Sequence, residues 1–232
     1  MLSFVAMLTR SEEDHLKAVH ALLGGGGRAS TNNVAERLGT KASSVTVMLK
    51  KLAEKGLLSH APYYGVKLTT KGKAAALKLV RKHRLWETFL VERLGFGWDE
   101  VHEVAEQLEH VRSEKLTNSL AEYLGDPAFD PHGDPIPDRN GRLPLRDLRP
   151  LVTTAEGDRV RIAAVKNGSD ALLHLLGRKG IGIGKLLVVA AHQEFDRSME
   201  LDDTAGHRIS LSAQVAAHLW VETATASKKR NG

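Results

Sequence analysis

The chain has no cysteine among its 232 residues. Disulfides, thiolate metal sites and thiol chemistry are therefore excluded, and any metal must be held by oxygen and imidazole ligands. No apolar run approaches the length of a membrane span. The opening MLSFVAMLTR is too short for a signal peptide and lacks a basic n-region, so the expectation is a cytoplasmic protein with no membrane partner. Phosphate loops are missing as well. The run Gly24 to Gly27 is not followed by Lys-Ser/Thr, and in GRKGIGIGK the glycine spacing is wrong and Leu186 follows Lys185. No Ser/His/Asp order stands out. The stretch His102-Glu103-Val104-Ala105-Glu106 carries Glu where the HExxH of zinc peptidases needs His. An enzyme is not expected.

What is present is a core-forming chain with uneven charge. Hydrophobic residues make up 42%, enough for one large domain or two to three small ones. The net charge is +5. Between Arg28 and Arg84 there are 13 Lys/Arg against two acids, Glu36 and Glu54, a local +11, which leaves −6 for the rest. A concentrated positive segment on a near-neutral body fits a phosphate-binding domain, the alternative being a solvated lysine-rich surface.

That basic segment has a recognisable pattern. Ser11 before Glu12, Glu13 and Asp14 suits a helix N-terminus, and Leu16, Val19 and Leu23 mark its apolar face. A short helix follows from Ser30 or Thr31 to Arg37, then a Gly39-Thr40 turn. A longer helix runs from about Ala42 to Lys55, with Val45, Leu49 and Leu52 inward and Gly56 at its C-cap. Two short strands around Pro62-Tyr63-Tyr64-Gly65 complete a winged helix-turn-helix over about 70 residues.

A long helix is expected from Thr70 to Leu94, and a second from about Asp99, as cap, to Val111. On the second, His102, Glu106, Glu109 and His110 sit at relative positions 0, 4, 7 and 8 and share one face. His83 and Glu87 repeat the i, i+4 spacing on the first. Imidazoles and carboxylates on facing helices make a candidate divalent-metal site, with Mn²⁺ favoured and Fe²⁺ and Zn²⁺ also suited. The bland reading is a solvated helix face. Another helix is expected from Ser113 to Tyr123, and DPAFDPHGDPIPDRNG should be irregular. Beyond Pro150 the segments 158–165, 185–190 and 207–211 read as strands, with a helix from Ser169 to Leu176, suggesting a small SH3-type β-barrel; SKKRNG reads as a frayed tail.

The order winged helix, ligand-bearing helices, Pro-rich link and small barrel, with the motifs RKHRLWETFL, VHEVAEQLEH and DPHGDPIP, resembles the diphtheria-toxin-repressor (DtxR/MntR) family of iron- and manganese-dependent transcriptional regulators. The resemblance implies a mainly α fold with small β content. It would comprise a winged helix-turn-helix (1–70), a helical metal-binding and dimerisation domain (71–142) and an SH3-like or FeoA-like barrel (150–226). It implies a primary metal site of Asp14, His83, Glu106, Glu109 and His110, and an ancillary site of Glu87, His102, Asp130 and His132, with Asp170 as a further candidate. Carboxylates at Asp14 and Glu106 match the manganese-type members, whereas Lys17 departs from those with a second carboxylate one turn after Asp14.

The expected function is a Mn²⁺-dependent regulator, with Fe²⁺ as a second effector and other divalent metals binding in vitro. It would act as a repressor of metal-uptake genes, binding a pseudopalindromic site in double-stranded DNA as a homodimer. Ser43, Ser44, Thr46, Val47 and Lys50 would face base edges, and Arg28, Thr31, Lys41, Lys51 and Lys67 would clamp phosphates. Without metal, the clustered carboxylates should repel and let the DNA-binding part swing. The alternatives are an iron-responsive regulator of the same fold and a metal-independent DNA-binding protein.

Overall fold

The first helix, α1 (Arg10–Gly24), starts two residues earlier than the sequence suggests, because Thr9 and Glu12 cap each other. Glu12 N–H donates to Thr9 Oγ1 (3.3 Å) and Thr9 N–H donates to Glu12 Oε2 (2.8 Å). Both orphan donors are thereby satisfied. This computed structural model describes residues 8–26, 28–61, 65–166 and 168–224. It divides into two units, one of Met1–Trp86, Ala105–Tyr123 and Pro137–Leu143, the other of Glu87–Val104, Leu124–Ile136 and Pro144–Gly232.

In the first unit, α2 (Thr31–Leu38) begins at the Ser30 cap and ends at Gly39, whose φ of 61° turns the chain into α3 (Ala42–Glu54). The three helices share a core in which Leu16, Val19, Val34, Val45, Leu49 and Leu52 are buried. Each such leucine contributes roughly 1.5–3 kcal/mol. Strands β1 (Leu58–Ala61) and β2 (Gly65–Leu68) pair antiparallel as the wing, with Leu58 opposite Leu68 and Ala61 opposite Gly65. Gly65, at φ 88°, lies so close to Ala29 that a Cβ would overlap its carbonyl. Of the turn residues expected between the strands, Pro62 to Tyr64 lie outside the described residues, as do the opening Met1 to Met7 and the SKKRNG tail. Helix α4 (Thr70–Leu94) follows, contributing its first part to this unit and its last turns to the second. Helix α5 (Val101–Leu108) is likewise divided. Helix α6 (Glu114–Tyr123) completes the first unit's helices, with Ser113 Oγ accepting from Leu116 N–H.

The second unit contains a six-stranded antiparallel sheet among the described residues. Its strands are β3 (Arg149–Pro150), β4 (Arg159–Val165), β5 (Leu186–His192), β6 (Met199–Asp203), β7 (Arg208–Leu211) and β8 (Leu219–Thr223), ordered β3-β8-β4-β5-β6-β7. Helices α7 (Asp170–Arg178) and α8 (Ala213–His218) accompany it. Leu173 and Leu176 of α7 join Val160, Ile162, Leu187, Val189, Met199, Leu201 and Val221 in one core. Register shifts at Ile162/Ala164 and Val189/Ala191 bend the central strands, which curls a small sheet around its core. This is the small SH3-like unit. Strands β3, β6 and β8 and helix α8 were not foreseen from sequence.

Two further expectations need correction. The ligand-bearing helix is Val101–Leu108, not Asp99–Val111, so Glu109 and His110 lie just beyond its end. Asp99 is paired instead with His174, at 2.5 Å. Asp170, the expected barrel ligand, is exposed in the first turn of α7 and belongs to no group of convergent ligands among the described residues.

Candidate metal centre and nucleic-acid interface

Three side chains converge in the first unit. Asp14 comes from the second turn of α1, and Glu109 and His110 from the turn closing α5. One ligand atom of each lies within 4.8 Å of the others. His110 Nε2 is 3.1 Å from Asp14 Oδ1 and 3.9 Å from Glu109 Oε1. His110 Nδ1 donates to Glu13 Oε2 at 2.6 Å. That bond holds the ring, puts a proton on Nδ1 and turns Nε2 toward the two carboxylates. His83, on α4, donates through Nδ1 to Glu109 Oε2, also at 2.6 Å. The donor set of two carboxylates and an imidazole, with the second nitrogen tethered, fits a hard or borderline divalent ion such as Mn²⁺ or Fe²⁺.

The carboxylates are not bare, contrary to the repulsion expected from sequence. Lys17, one turn after Asp14, places its Nζ 2.8 Å from Glu109 Oε1 and 2.7 Å from Oε2. The same ammonium is 3.5 Å from Glu106. Burial alone would raise the Glu109 carboxyl, but His83 and Lys17 outweigh it and hold it below the ordinary range. Asp14 moves the other way, pushed up by burial and by Glu109, with His110 and Lys17 offsetting only part. Glu106 is half exposed and stands outside the convergent trio.

A second group lies in the other unit. Glu87, near the end of α4, is brought within reach of Asp130 and His132 of the Pro-rich link, again with ligand atoms within 4.8 Å. Asp130 Oδ1 accepts from the backbone N–H groups of His132 and Asp134, both at 2.9 Å. His132 Nε2 donates to the Trp98 carbonyl at 2.6 Å, and the two rings stack. A carbonyl can only accept, so Nε2 carries a proton, and Nδ1 lies 4.0 Å from Glu87 Oε2. His102 Nδ1 is 3.3 Å from Glu87 Oε1, and its side chain is largely exposed. The link can pass here because of Gly133, at φ 83°, where a Cβ would overlap the Ala163 carbonyl.

The outward face of α3 carries Ser43, Ser44, Thr46, Val47 and Lys50, all exposed, with Val47 at 68%. An exposed valine on a helix whose other face is buried suits apolar contact in a groove. Lys41 and Lys67 are exposed, and Thr31 opens α2. Lys51 is otherwise engaged. With Lys55 it pairs with the buried Glu12, at 3.1 and 2.6 Å. Burial would raise that carboxyl, but the two lysines and the Thr9 N–H bring it down to about 2. This links α1 to the end of α3.

These features agree with comparisons against known proteins. Residues 7–66 match the N-terminal DNA-binding domain of the iron-dependent repressors, and residues 69–138 match their metal-binding and dimerisation domain. Residues 149–223 match the FeoA domain. The iron-dependent repressor IdeR of Mycobacterium leprae is 35% identical over 162 residues, 70% of this chain and 69% of the relative. The chain belongs to the iron-dependent repressor (diphtheria-toxin-repressor) family. It is thus a metal-dependent, DNA-binding transcriptional repressor. Alignment to IdeR of Mycobacterium tuberculosis spans 56% of each chain. The regulator MntR of Lysinibacillus sphaericus is 34% identical over 51% of this chain and 84% of the relative. A solved manganese-dependent transcriptional repressor in complex with manganese is 36% identical, with a TM-score of 0.82 over 92% of this chain and 100% of its own.

In this repressor the expected primary set is partly assembled. Asp14, Glu109 and His110 meet, His83 reaches the group through Glu109, and Glu106 is held by Lys17. Of the expected ancillary set, Glu87, Asp130 and His132 meet, and His102 touches Glu87. Sequence reasoning missed Glu13 as the partner of His110, and the Trp98 carbonyl as the partner of His132. Both bonds join residues far apart in the chain, and helical spacing carries no signal for them.

Proposed function

We propose that this repressor responds to Mn²⁺, with Fe²⁺ as a second effector, and that it represses metal-uptake genes from the cytoplasm as a homodimer on a pseudopalindromic operator. The observation that carries the reading is the Asp14, Glu109 and His110 group, because it joins α1 to the end of α5. Helix α1 packs on α3 through Leu16, Val19 and Leu52, and Glu12 fastens it to Lys51 and Lys55. Whatever holds Asp14 therefore also holds the recognition helix. A bound ion would supply a charge that draws both carboxylates and the His110 lone pair together. Glu13 keeps the imidazole aimed, and His83 steadies Glu109. By linkage, DNA then raises metal affinity by the factor with which metal raises DNA affinity.

The absence of cysteine and the carboxylates at Asp14 and Glu106 support manganese, as does the manganese bound by the similar solved repressor. The IdeR relatives keep iron as the second reading. The spans of the matching family models support a division into 1–70, 71–142 and 150–226. Exposed Val111, Leu116 and Tyr123, in the part matching the dimerisation domain, support the homodimer. No helix among the described residues is long and apolar enough to cross a membrane. Glu87, Asp130 and His132, with His102, would form an ancillary metal site. Ser43, Ser44, Thr46, Val47 and Lys50 would read bases, and Arg28, Thr31, Lys41 and Lys67 would contact phosphates.

The test is binding of the repressor to DNA fragments from metal-uptake promoters at fixed salt, with Mn²⁺, anaerobic Fe²⁺, Zn²⁺ or chelator. Tight binding with Mn²⁺ that chelator abolishes is the expected result. Stronger activation by Fe²⁺ would shift the reading to iron, and equal binding under all conditions would remove the switch.

A further inference from the structure

Lys17 has a place in this site that the ligand pattern does not explain. Its stem is largely covered, with the side chain 20% exposed, and its ammonium is bidentate on a carboxylate that is 1% exposed. Glu109 has two oxygens to share. His83 takes Oε2 at 2.6 Å, and Oε1 is the one turned toward His110. Lys17 reaches both oxygens and has Glu106 within 3.5 Å on its other side. A divalent ion bound by Asp14, His110 and Glu109 needs Oε1, the atom the ammonium already holds. Two cations on one carboxylate oxygen, in a site largely shielded from water, repel strongly.

We propose that Lys17 is a built-in rival of the metal, a resident cation that must release Glu109 before the ion can bind and that thereby sets the metal concentration at which the site fills. The inference rests on the metal-site reading above and deepens it. In the metal-free protein Lys17 pairs with Glu109, offsets part of the charge of Glu106, and ties α1 to the end of α5. For an ion to take Oε1 the ammonium would have to leave, and Glu106 would then lose its Lys17 contact. The affinity observed for metal is then the intrinsic affinity of the ligands less the cost of breaking the Lys17 pairs. A repressor that must release metal when supply falls gains from that subtraction.

The test measures Mn²⁺ binding to the full chain directly, by the electron paramagnetic resonance of free Mn²⁺ and by calorimetry, with no DNA present. Lys17→Met keeps the length of the stem and removes the charge, and Lys17→Gln keeps a hydrogen-bond donor in case the first variant folds poorly. Both should bind Mn²⁺ at least about tenfold more tightly than the parent, since resident-cation repulsion and pair breaking both disappear. Both should melt at lower temperature without metal, because Glu109 has lost a partner, and gain more in melting temperature when Mn²⁺ is added. Lys17→Arg retains the cation and should stay within about threefold of the parent. Unchanged or weaker Mn²⁺ binding in both neutral variants overturns the proposal. Asp14→Asn, measured alongside, separates the two levels. If it weakens Mn²⁺ binding while the neutral Lys17 variants fail to tighten it, only the rivalry is wrong. If it leaves Mn²⁺ binding unchanged, the site itself is wrong and the rivalry falls with it.

Discussion

Replacing Glu13 by Gln tests whether the site is organised as described. The His110 Nδ1···Glu13 Oε2 distance is 2.6 Å, and both side chains are nearly nine-tenths buried (13% and 12% exposed). A charge-assisted bond sheltered in this way is worth about twice a neutral one. Gln presents an oxygen of the same reach, so the ring keeps its orientation and the substitution removes only the negative charge behind it. Imidazole basicity at Nε2 falls, and with it the ability to donate to an ion. Partners of metal-bound histidines typically carry about 10–100-fold in metal affinity, or roughly 1.4–2.8 kcal/mol. Glu13→Gln should weaken Mn²⁺ binding by that factor, measured calorimetrically at neutral pH, while circular dichroism and melting temperature without metal stay near the parent. Glu13→Asp, with the charge kept but the reach shortened, should fall between. Parent-like Mn²⁺ affinity in Glu13→Gln would mean that His110 is not a ligand through Nε2.

Other consequences are as direct. Gly133→Ala should lower stability by roughly 2 kcal/mol or more in urea denaturation, because φ of 83° and the Ala163 carbonyl both oppose a Cβ; parent-like stability would show that the link does not pass where it is described. Lys67→Ala should reduce the slope of log affinity against log salt by about 1 without altering stability, as for the loss of one phosphate contact. Lys51→Ala should instead lower stability, by about 1 kcal/mol, since it strips one of two lysines from buried Glu12. Asp203 accepts from Lys185 and from the Ala205 and His207 N–H groups, which holds its carboxyl below the usual range. Its contribution to folding is complete above pH about 4 and is lost as pH falls through the depressed value. Asp203→Asn should therefore cost stability at neutral pH and progressively less toward acid, followed by urea midpoints across pH.

Much of this was legible in the sequence because it rests on short-range rules. Val45, Leu49 and Leu52 on one side of α3, and Ser43, Val47 and Lys50 on the other, follow from helical period alone. The positive segment from Arg28 to Arg84 and the lack of cysteine bounded the partner and the ligand chemistry. The site was legible as residue types, with Asp14, Glu109 and His110 now seen to meet. Its wiring was not. Glu13 to His110, Lys17 to Glu109 and His132 to Trp98 are contacts between segments 34 to 97 residues apart, set by tertiary packing. The end of α5 at Leu108 was missed for a related reason: the ligand spacing of 0, 4, 7 and 8 fits a continuing helix, yet Glu109 and His110 occupy the turn that closes it. In the small sheet unit, β6 and β8 are short and carry Asp202, Asp203 and Glu222 among their apolar residues, which weakened the strand signal.

The most direct measurement is DNA affinity of the parent and of Asp14→Asn at one salt concentration, with and without saturating Mn²⁺. In this reading Asp14 is the ligand on the helix that carries the recognition helix with it, and it makes no contact with the DNA-facing side of α3. If a metal bridge between α1 and the end of α5 is the switch, Mn²⁺ raises the parent's affinity steeply, chelator reverses the rise, and Asp14→Asn stays at the metal-free level in both conditions. A variant activated by Mn²⁺ as fully as the parent would contradict the bridge.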